Sequence, residues 1–227
     1  YHKRFLKYLE YCQENDLMIA GTSQTDVKGD RSLRPHEQED PDMYLRVVEK
    51  NREGIVVRGS KVHGTSVAQS DEIVVIPTRV MVEGEDDWAV AFALPCDADG
   101  VKHIVRASSP RRRKHLDAPI AHVGSNDAFT VFDDAFVPWE RVFMCGERKM
   151  AGPLALQFAN NHRHSYTGCK PAVSDVIMGA AGLAAEYSGV ERAQHIRDKI
   201  AHLMGVAELV YAAGVAAAVH AEKTASG

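Results

Sequence analysis

Apolar positions recur at two different periods along the chain. In residues 1–20, Phe5, Leu6, Tyr8, Leu9, Tyr11 and Cys12 fall one turn apart and draw a stripe, which predicts a helix ending near Asn15-Asp16. Residues 21–42, from Gly21 to Asp40-Pro41-Asp42, are polar and punctuated by glycine and proline, and predict a long loop. From about 43 to 137 the period falls to two, with strands expected at 43–49, 54–58, 72–77, 87–94, 102–107 and 128–132. Turn-prone runs separate them, among them Asn51-Arg52-Glu53-Gly54, Glu83-Gly84-Glu85-Asp86 and Asp97-Ala98-Asp99-Gly100. Beyond Pro138 the helical period returns at 150–168, 171–187 and 190–222, the last carrying Ile196, Ile200, Leu203, Met204, Val206, Leu209 and Val210 in an Ala-rich frame.

Short strands with no long helices between them predict an antiparallel sheet or small barrel rather than a parallel nucleotide-binding sheet. The closely spaced glycines of a dinucleotide-binding turn are absent as well. Small residues at 179–185 and 212–219 permit close helix approach and point to a bundle packed on the sheet. The expected class is α+β: the end of a helical domain at 1–20, a loop and middle antiparallel, barrel-like β domain at 21–145, and part of a helical bundle at 146–227. The missing initial Met and the ending inside an Ala-rich helical pattern mark, on this reading, an interior section of a longer protein.

Composition narrows the function classes. With 227 residues, 45% of them hydrophobic, the chain can bury a sizeable core. Lys and Arg total 27 against 31 Asp and Glu, a net charge of -4 that speaks against a nucleic-acid backbone binder. No run reaches the roughly 18 consecutive apolar residues read as a membrane span, and Tyr1-His2-Lys3-Arg4 does not open a signal peptide. A soluble cytoplasmic protein is therefore expected. The four cysteines, Cys12, Cys96, Cys145 and Cys169, are scattered without a CxxC pair and read mainly as reduced core residues.

The densest polar cluster is Asn161-His162-Arg163-His164-Ser165-Tyr166-Thr167-Gly168-Cys169-Lys170. At about 100° per residue His162, Tyr166 and Cys169 share one helix face, where a His and a Cys can ligate a metal or cluster and a Tyr can transfer a proton. Hydrogen-bonded core or surface residues are the plain alternative, because Gly168 and Pro171 can break the helix. Gln24-Thr25-Asp26-Val27-Lys28-Gly29-Asp30-Arg31 offers backbone donors, hydroxyls and cations suited to an anion such as a pyrophosphate, or is a solvated loop. His63-Gly64-Thr65-Ser66 can bind a ring edge or is an ordinary turn. Arg111-Arg112-Arg113-Lys114-His115 can meet a phosphate or is a solvated basic loop. Trp139 reads as an interdomain anchor; Asp127, Asp133, Asp134 and Glu140 are candidate acids among which spacing does not choose.

Gln24 through Pro35, Asp40-Pro41-Asp42, Lys61-Val62-His63-Gly64-Thr65, Val131 through Pro138 and above all His162 through Lys170 resemble the 4-hydroxyphenylacetate 3-hydroxylase family of flavoproteins, in its branch acting on acyl-CoA thioesters. The resemblance implies an FAD- and 4Fe-4S-dependent enzyme that dehydrates 4-hydroxybutyryl-CoA to crotonyl-CoA and isomerises vinylacetyl-CoA. It makes His162 and Cys169 cluster ligands, Tyr166 a proton-transfer residue and Lys170 a positioning or charge-stabilising residue. Asp127 is matched to an upstream catalytic acid, with Glu140 as rival. Gln24, Thr25, Lys28, Arg31, His63 and Thr65 become flavin-binding residues, with Thr65 near the ring. It further implies an acyl-CoA-dehydrogenase-like bundle and a homotetramer sharing its FAD sites between subunits. The branch takes two more cluster cysteines, three residues apart, which are expected before Tyr1, and it carries Gln where His164 stands, which makes His164 a nearby alternative ligand. The alternatives are a flavin-dependent phenol monooxygenase without a cluster, which Cys169 and Lys170 speak against, and a non-catalytic structural subunit.

Overall fold

The computed structural model describes residues 2–106 and 126–223; the basic run 111–114 and His115 lie outside the described residues. The chain divides into a unit ending at Leu156 and a second beginning at Gln157.

The first unit holds helix α1 (His2–Glu14) and eight described strands: β1 (Ile19–Ser23), β2 (Arg46–Lys50), β3 (Gly54–Thr65), β4 (Glu72–Val75), β5 (Val90–Pro95), β6 (Val101–Arg106), β7 (Asp127–Pro138) and β8 (Val142–Cys145). They form two four-stranded sheets, ordered β1-β4-β5-β8 and β2-β3-β7-β6. Every pairing is antiparallel except β1 with β4, which is parallel. The all-antiparallel expectation is corrected there: the β2–β3 hairpin of the other sheet lies between these strands in sequence, and so long a crossover lets the chain re-enter in the same direction. Strand β1 is also where a loop was expected from residue 21, since Ile19-Ala20-Gly21-Thr22-Ser23 shows no clear alternation.

One core joins the sheets. Ile55, Val57, Phe132, Ala135 and Val137 from one and Ile73, Val75, Val90 and Phe92 from the other are buried together, each larger side chain contributing about 1.5–3 kcal/mol. The Phe92 and Phe132 rings meet edge to face, centroids 5.7 Å apart. Helix α1 joins the same unit through Phe5 and Tyr8, whose rings each lie 5.4 Å from that of Phe143 on β8. Strand β3 has breaks in register between Val57 and Gly59 and between Lys61 and Gly64. At the first, Gly59 has φ +127° and a Cβ there would lie 2.6 Å from the Leu45 Cα, so only glycine lets the strand pass.

Beyond Arg148 the chain is helical. Helix α2 (Arg148–Tyr187) is one element of 40 residues, which corrects the division into 150–168 and 171–187. Pro171 removes a single N–H; around it Ser165 Oγ back-bonds to the His162 carbonyl at 2.6 Å, Thr167 Oγ1 to that of His164 at 2.7 Å and Ser174 Oγ to that of Lys170 at 2.9 Å. Helix α3 (Gln194–Val219) returns after a short turn. In the second unit α2 and α3 approach closely at Gly214, where an added Cβ would run into Thr167, and His164 Nε2 lies 3.3 Å from the Gly214 carbonyl. By length and composition α3 is apolar enough to cross a membrane. Core helices pass the same test, and α3 holds no run of 18 consecutive apolar residues.

Candidate functional site

The chemistry-bearing residues form three groups. The first is the loop after β1. Asp26 pairs with Lys61 across an isolated bridge from the loop to β3, and both side chains are 2% exposed. Lys61 Nζ donates to Asp26 Oδ1 at 2.7 Å, to the Gln24 carbonyl at 3.1 Å and to the Ile76 carbonyl at 3.0 Å. Asp26 also accepts from the Leu45 N–H at 3.0 Å. Burial raises the Asp26 carboxyl and lowers the Lys61 ammonium, outweighing their attraction. The pair thus fixes Gln24 and Thr25, whose carbonyl accepts from the Val62 N–H at 2.8 Å. Gln24 Nε2 reaches the Ala155 carbonyl at 3.3 Å. Further on, Lys28 and Gly29 both take positive φ, and Gln38 brackets Asp30 by accepting from its N–H at 3.1 Å and donating to its carbonyl at 2.7 Å. Arg31 is exposed at the end of this braced turn.

A second carboxylate braces the following segment. Glu85 is fully buried and accepts from Arg34 Nε at 2.9 Å, Arg34 Nη2 at 2.6 Å and the Val82 N–H at 2.8 Å, with His36 Nδ1 2.9 Å away. Burial alone would raise its carboxyl, but the Arg34, Val82 and His36 hydrogen bonds and the guanidinium charge hold it below its ordinary value. Sequence reasoning did not single out Asp26–Lys61 or Glu85 as braces. No local signal marks them: Lys61 shares its strand with Arg58 and His63 and reads as one more strand charge.

The second group lies where β3 ends and β7 begins. Thr65 and Asp127 are directly opposed, and Thr65 Oγ1 donates to Asp127 Oδ1 at 2.7 Å. Thr65 is exposed, Asp127 half-buried. His63 and Ser66, both non-glycine, take φ +61° and +62° on either side of Thr65. The rival acids stand elsewhere: Asp133 accepts from Lys102 at 2.8 Å, Asp134 holds Arg58 through two 2.8 Å bonds, and Glu140 is exposed. Trp139 Nε1 donates to the Asn51 carbonyl at 3.0 Å.

The third group is a column on α2. Phe158, His162, Tyr166 and Lys170 succeed one another at four-residue intervals. The Phe158 and His162 rings stack at 5.4 Å, His162 and Tyr166 meet at 4.8 Å, and Lys170 Nζ stands 5.0 Å over the Tyr166 ring. His162 Nε2 and Tyr166 Oη are 2.9 Å apart, so one proton can be held by either. Cys169 is exposed on this helix, about 10.5 Å along the axis from His162. His164 points instead to Gly214.

These donor sets differ in what they can hold. The braced 24–31 turn, with its cations and amides, and the exposed Thr65 hydroxyl fit a flavin nucleotide. Ser23, at the foot of that turn, carries the one buried side-chain polar atom without a hydrogen-bond partner among the described residues. Toward an iron–sulfur cluster the described residues offer two donors, His162 and Cys169; no group of three or more metal-ligating side chains occurs among the described residues.

Residues 1–144 match the family model described as 4-hydroxyphenylacetate 3-hydroxylase N terminal, and residues 151–227 the C-terminal model. The chain is 45% identical over its whole length to the 4-hydroxybutyryl-CoA dehydratase/vinylacetyl-CoA-Δ-isomerase of Clostridium aminobutyricum, covering 47% of that protein. It is 34% identical over 88% of its length to a 4-hydroxyphenylacetate 3-monooxygenase oxygenase component from a Geobacillus strain, covering 42% of it. Among solved structures, an oxygen-tolerant archaeal 4-hydroxybutyryl-CoA dehydratase from N. maritimus superposes with TM-score 0.89 at 39% identity, over 99% of this chain and 45% of that one. An oxygenase component of 4-hydroxyphenylacetate 3-monooxygenase complexed with FAD gives 0.88 at 29% identity, over 99% and 47%. An acyl-CoA dehydrogenase from Geobacillus kaustophilus, at 18% identity and 0.58, shares the fold. The chain spans about half the length of the curated relatives it matches. Both family models, together covering almost every residue, place the chain in the 4-hydroxyphenylacetate 3-hydroxylase family.

Proposed function

We propose that this chain forms part of an FAD-dependent acyl-CoA dehydratase that converts 4-hydroxybutyryl-CoA to crotonyl-CoA and isomerises vinylacetyl-CoA. The observation that carries the reading is the α2 column, in which His162 Nε2 and Tyr166 Oη lie within hydrogen-bond distance at 2.9 Å beneath a lysine ammonium. The dehydratase relative, at 45% identity, supports it. Conversion of this substrate to crotonyl-CoA removes one proton from the thioester-activated α carbon and one from the unactivated β carbon, expels the γ hydroxyl and returns one proton to the γ carbon. An imidazole coupled to a phenol can take one such proton and return it to a different atom without releasing it to water. With Tyr166 donating, the His162 ring carries its proton on Nδ1; with Nε2–H donating, the phenol proton is free for a substrate oxygen. Lys170 stabilises negative charge developing on the phenol or on the thioester oxygen. Gln24, Thr25, Lys28 and Arg31 would hold the flavin phosphates, and His63 and Thr65 its ring. When bound, the flavin supplies reversible electron transfer with the substrate. His162 and Cys169 would contribute two of the four ligands of a 4Fe-4S cluster. A homotetramer sharing its flavin sites belongs to the same reading.

The second reading is a flavin-dependent phenol monooxygenase, favoured by the 34% identity to an oxygenase component. Anaerobic purification of the full-length protein decides between them. Flavin, iron and sulfide together with hydration of crotonyl-CoA support the dehydratase; flavin without iron, with phenol hydroxylation, refutes it. Retention of full dehydratase activity in Cys169→Ala would remove this cysteine from the site.

A further inference from the structure

We propose that Asp127 is a positioning residue that fixes the polarity of the Thr65 hydroxyl, so that Thr65 acts as a hydrogen-bond acceptor toward the ring N–H that a flavin gains on reduction. This rests on the flavin reading above and goes beyond it by giving each of the two side chains a direction.

A threonine hydroxyl has one proton and two lone pairs. Here the proton is directed to Asp127 Oδ1 at 2.7 Å, and an ionised carboxylate is a stronger acceptor than a neutral ring nitrogen. The oxygen then offers outward only its lone pairs. The backbone around it is held to that end. Ser66 N–H donates to the Asn126 carbonyl at 2.7 Å, Gln69 N–H and Ser70 Oγ donate to the Ser66 carbonyl at 3.0 and 2.9 Å, and Gly64 packs against Val67 and the Ala128 carbonyl. Two non-glycine residues in the left-handed region within four positions are costly, and persist only where the surroundings over-determine them. The outcome of that bracing is an exposed side chain in one orientation with its proton already engaged. An acceptor so fixed binds the reduced ring, which carries the added N–H, better than the oxidised ring, whose nitrogen there is itself an acceptor.

Without Asp127 the hydroxyl is free to turn and donate to the oxidised ring. The relative preference for reduced flavin then falls about tenfold, a midpoint potential about 30 mV lower for a two-electron couple. Removing a carboxylate charge near a flavin would by itself raise the potential, so the two contributions differ in sign. The test is a cycle on the flavin-loaded full-length protein: potentials of the unmodified protein, Asp127→Ala, Thr65→Val and the double variant, by equilibration with redox dyes. The expected result is that Asp127→Ala, which leaves no acceptor for the hydroxyl, shifts the potential about 30 mV more negatively when Thr65 is present than when valine replaces it. Thr65→Ser, which keeps the hydroxyl, preserves that difference. Equal shifts in the two backgrounds, with normal flavin content, overturn the inference while leaving the flavin reading intact. If the unmodified protein takes up no flavin, the parent reading itself is overturned.

Discussion

Replacing Lys61 by Met tests whether the loop after β1 is held by its buried ion pair. The substitution keeps the length of the side chain and removes an ammonium that satisfies Asp26 Oδ1 at 2.7 Å and the carbonyls of Gln24 and Ile76 at 3.1 and 3.0 Å. Asp26, 2% exposed in the unmodified protein, is left with the Leu45 N–H as its remaining donor. Breaking a buried pair from one side costs about 3–5 kcal/mol, and each carbonyl left without a partner adds up to about 1–3 kcal/mol. Uptake of a proton by Asp26, whose carboxyl burial already raises, offsets part of this. A net loss of about 4 kcal/mol at neutral pH follows, measured by urea unfolding followed by circular dichroism. The sign of its pH dependence is fixed. A carboxyl raised in the folded state contributes fully below its unfolded value near 3.9 and loses that contribution as pH rises through the folded value. Lys61→Met is therefore least impaired in acid and weakens as pH rises. Adding Asp26→Leu recovers a large part of the loss at pH 7, because no charge is then stranded. A loss under about 1 kcal/mol for Lys61→Met, or a double variant whose loss is the sum of the singles, would refute the buried-pair account.

Three shorter predictions rest on other contacts. Glu85 is held below its ordinary value, so its contribution is present above about pH 4.3 and lost as pH falls through the folded value; Glu85→Gln should lower stability at neutral pH and flatten the acid limb of the unfolding profile. Gly214→Ala puts a Cβ into Thr167, and overpacking of about 1–3 kcal/mol should outweigh the roughly 1 kcal/mol gain in helix propensity; a variant with a higher Tm would show that the helices separate freely there. Cys169 is exposed, Cys12 is buried, and burial pushes the Cys96 thiol up to about 12, so iodoacetamide should modify Cys169 well before Cys12 and Cys96, as read by peptide mass spectrometry.

What was legible in the sequence was whatever depends on neighbours a few residues apart. Helical spacing alone puts His162 and Tyr166 on one face, and the hydrogen bond between them is the contact that four-residue spacing allows; the spacing argument named Cys169 as the third member, whereas the ring column continues to Lys170. Strands β4 and β6 also fall close to the expected segments, because short bounded runs in those places leave few options. The errors have equally local causes. Pro171 suggested a helix break, but the loss of one N–H is absorbed within a forty-residue element that continues on both sides of it. Strand β1 has too little alternation to be read without its partner Ile73, which supplies the register from more than fifty residues away.

The braces of the candidate site are the part that no local pattern announces. Asp26 and Lys61 look like two ordinary surface charges until a bridge across the fold buries them together, and the Thr65 hydroxyl has no fixed direction until Asp127 stands opposite it on β7. In both cases a residue within a recognisable motif takes its chemical character from a partner distant in sequence. The motif names the side chain that faces a ligand, whereas the sheet register decides whether that side chain donates, accepts or is charged. Exchanging Asp127 therefore alters what Thr65 can offer while leaving the His63-Gly64-Thr65 motif unchanged. Two relatives with identical motifs can differ in the state of a bound ring they favour, and the position to compare between dehydratase and monooxygenase branches is the first residue of β7.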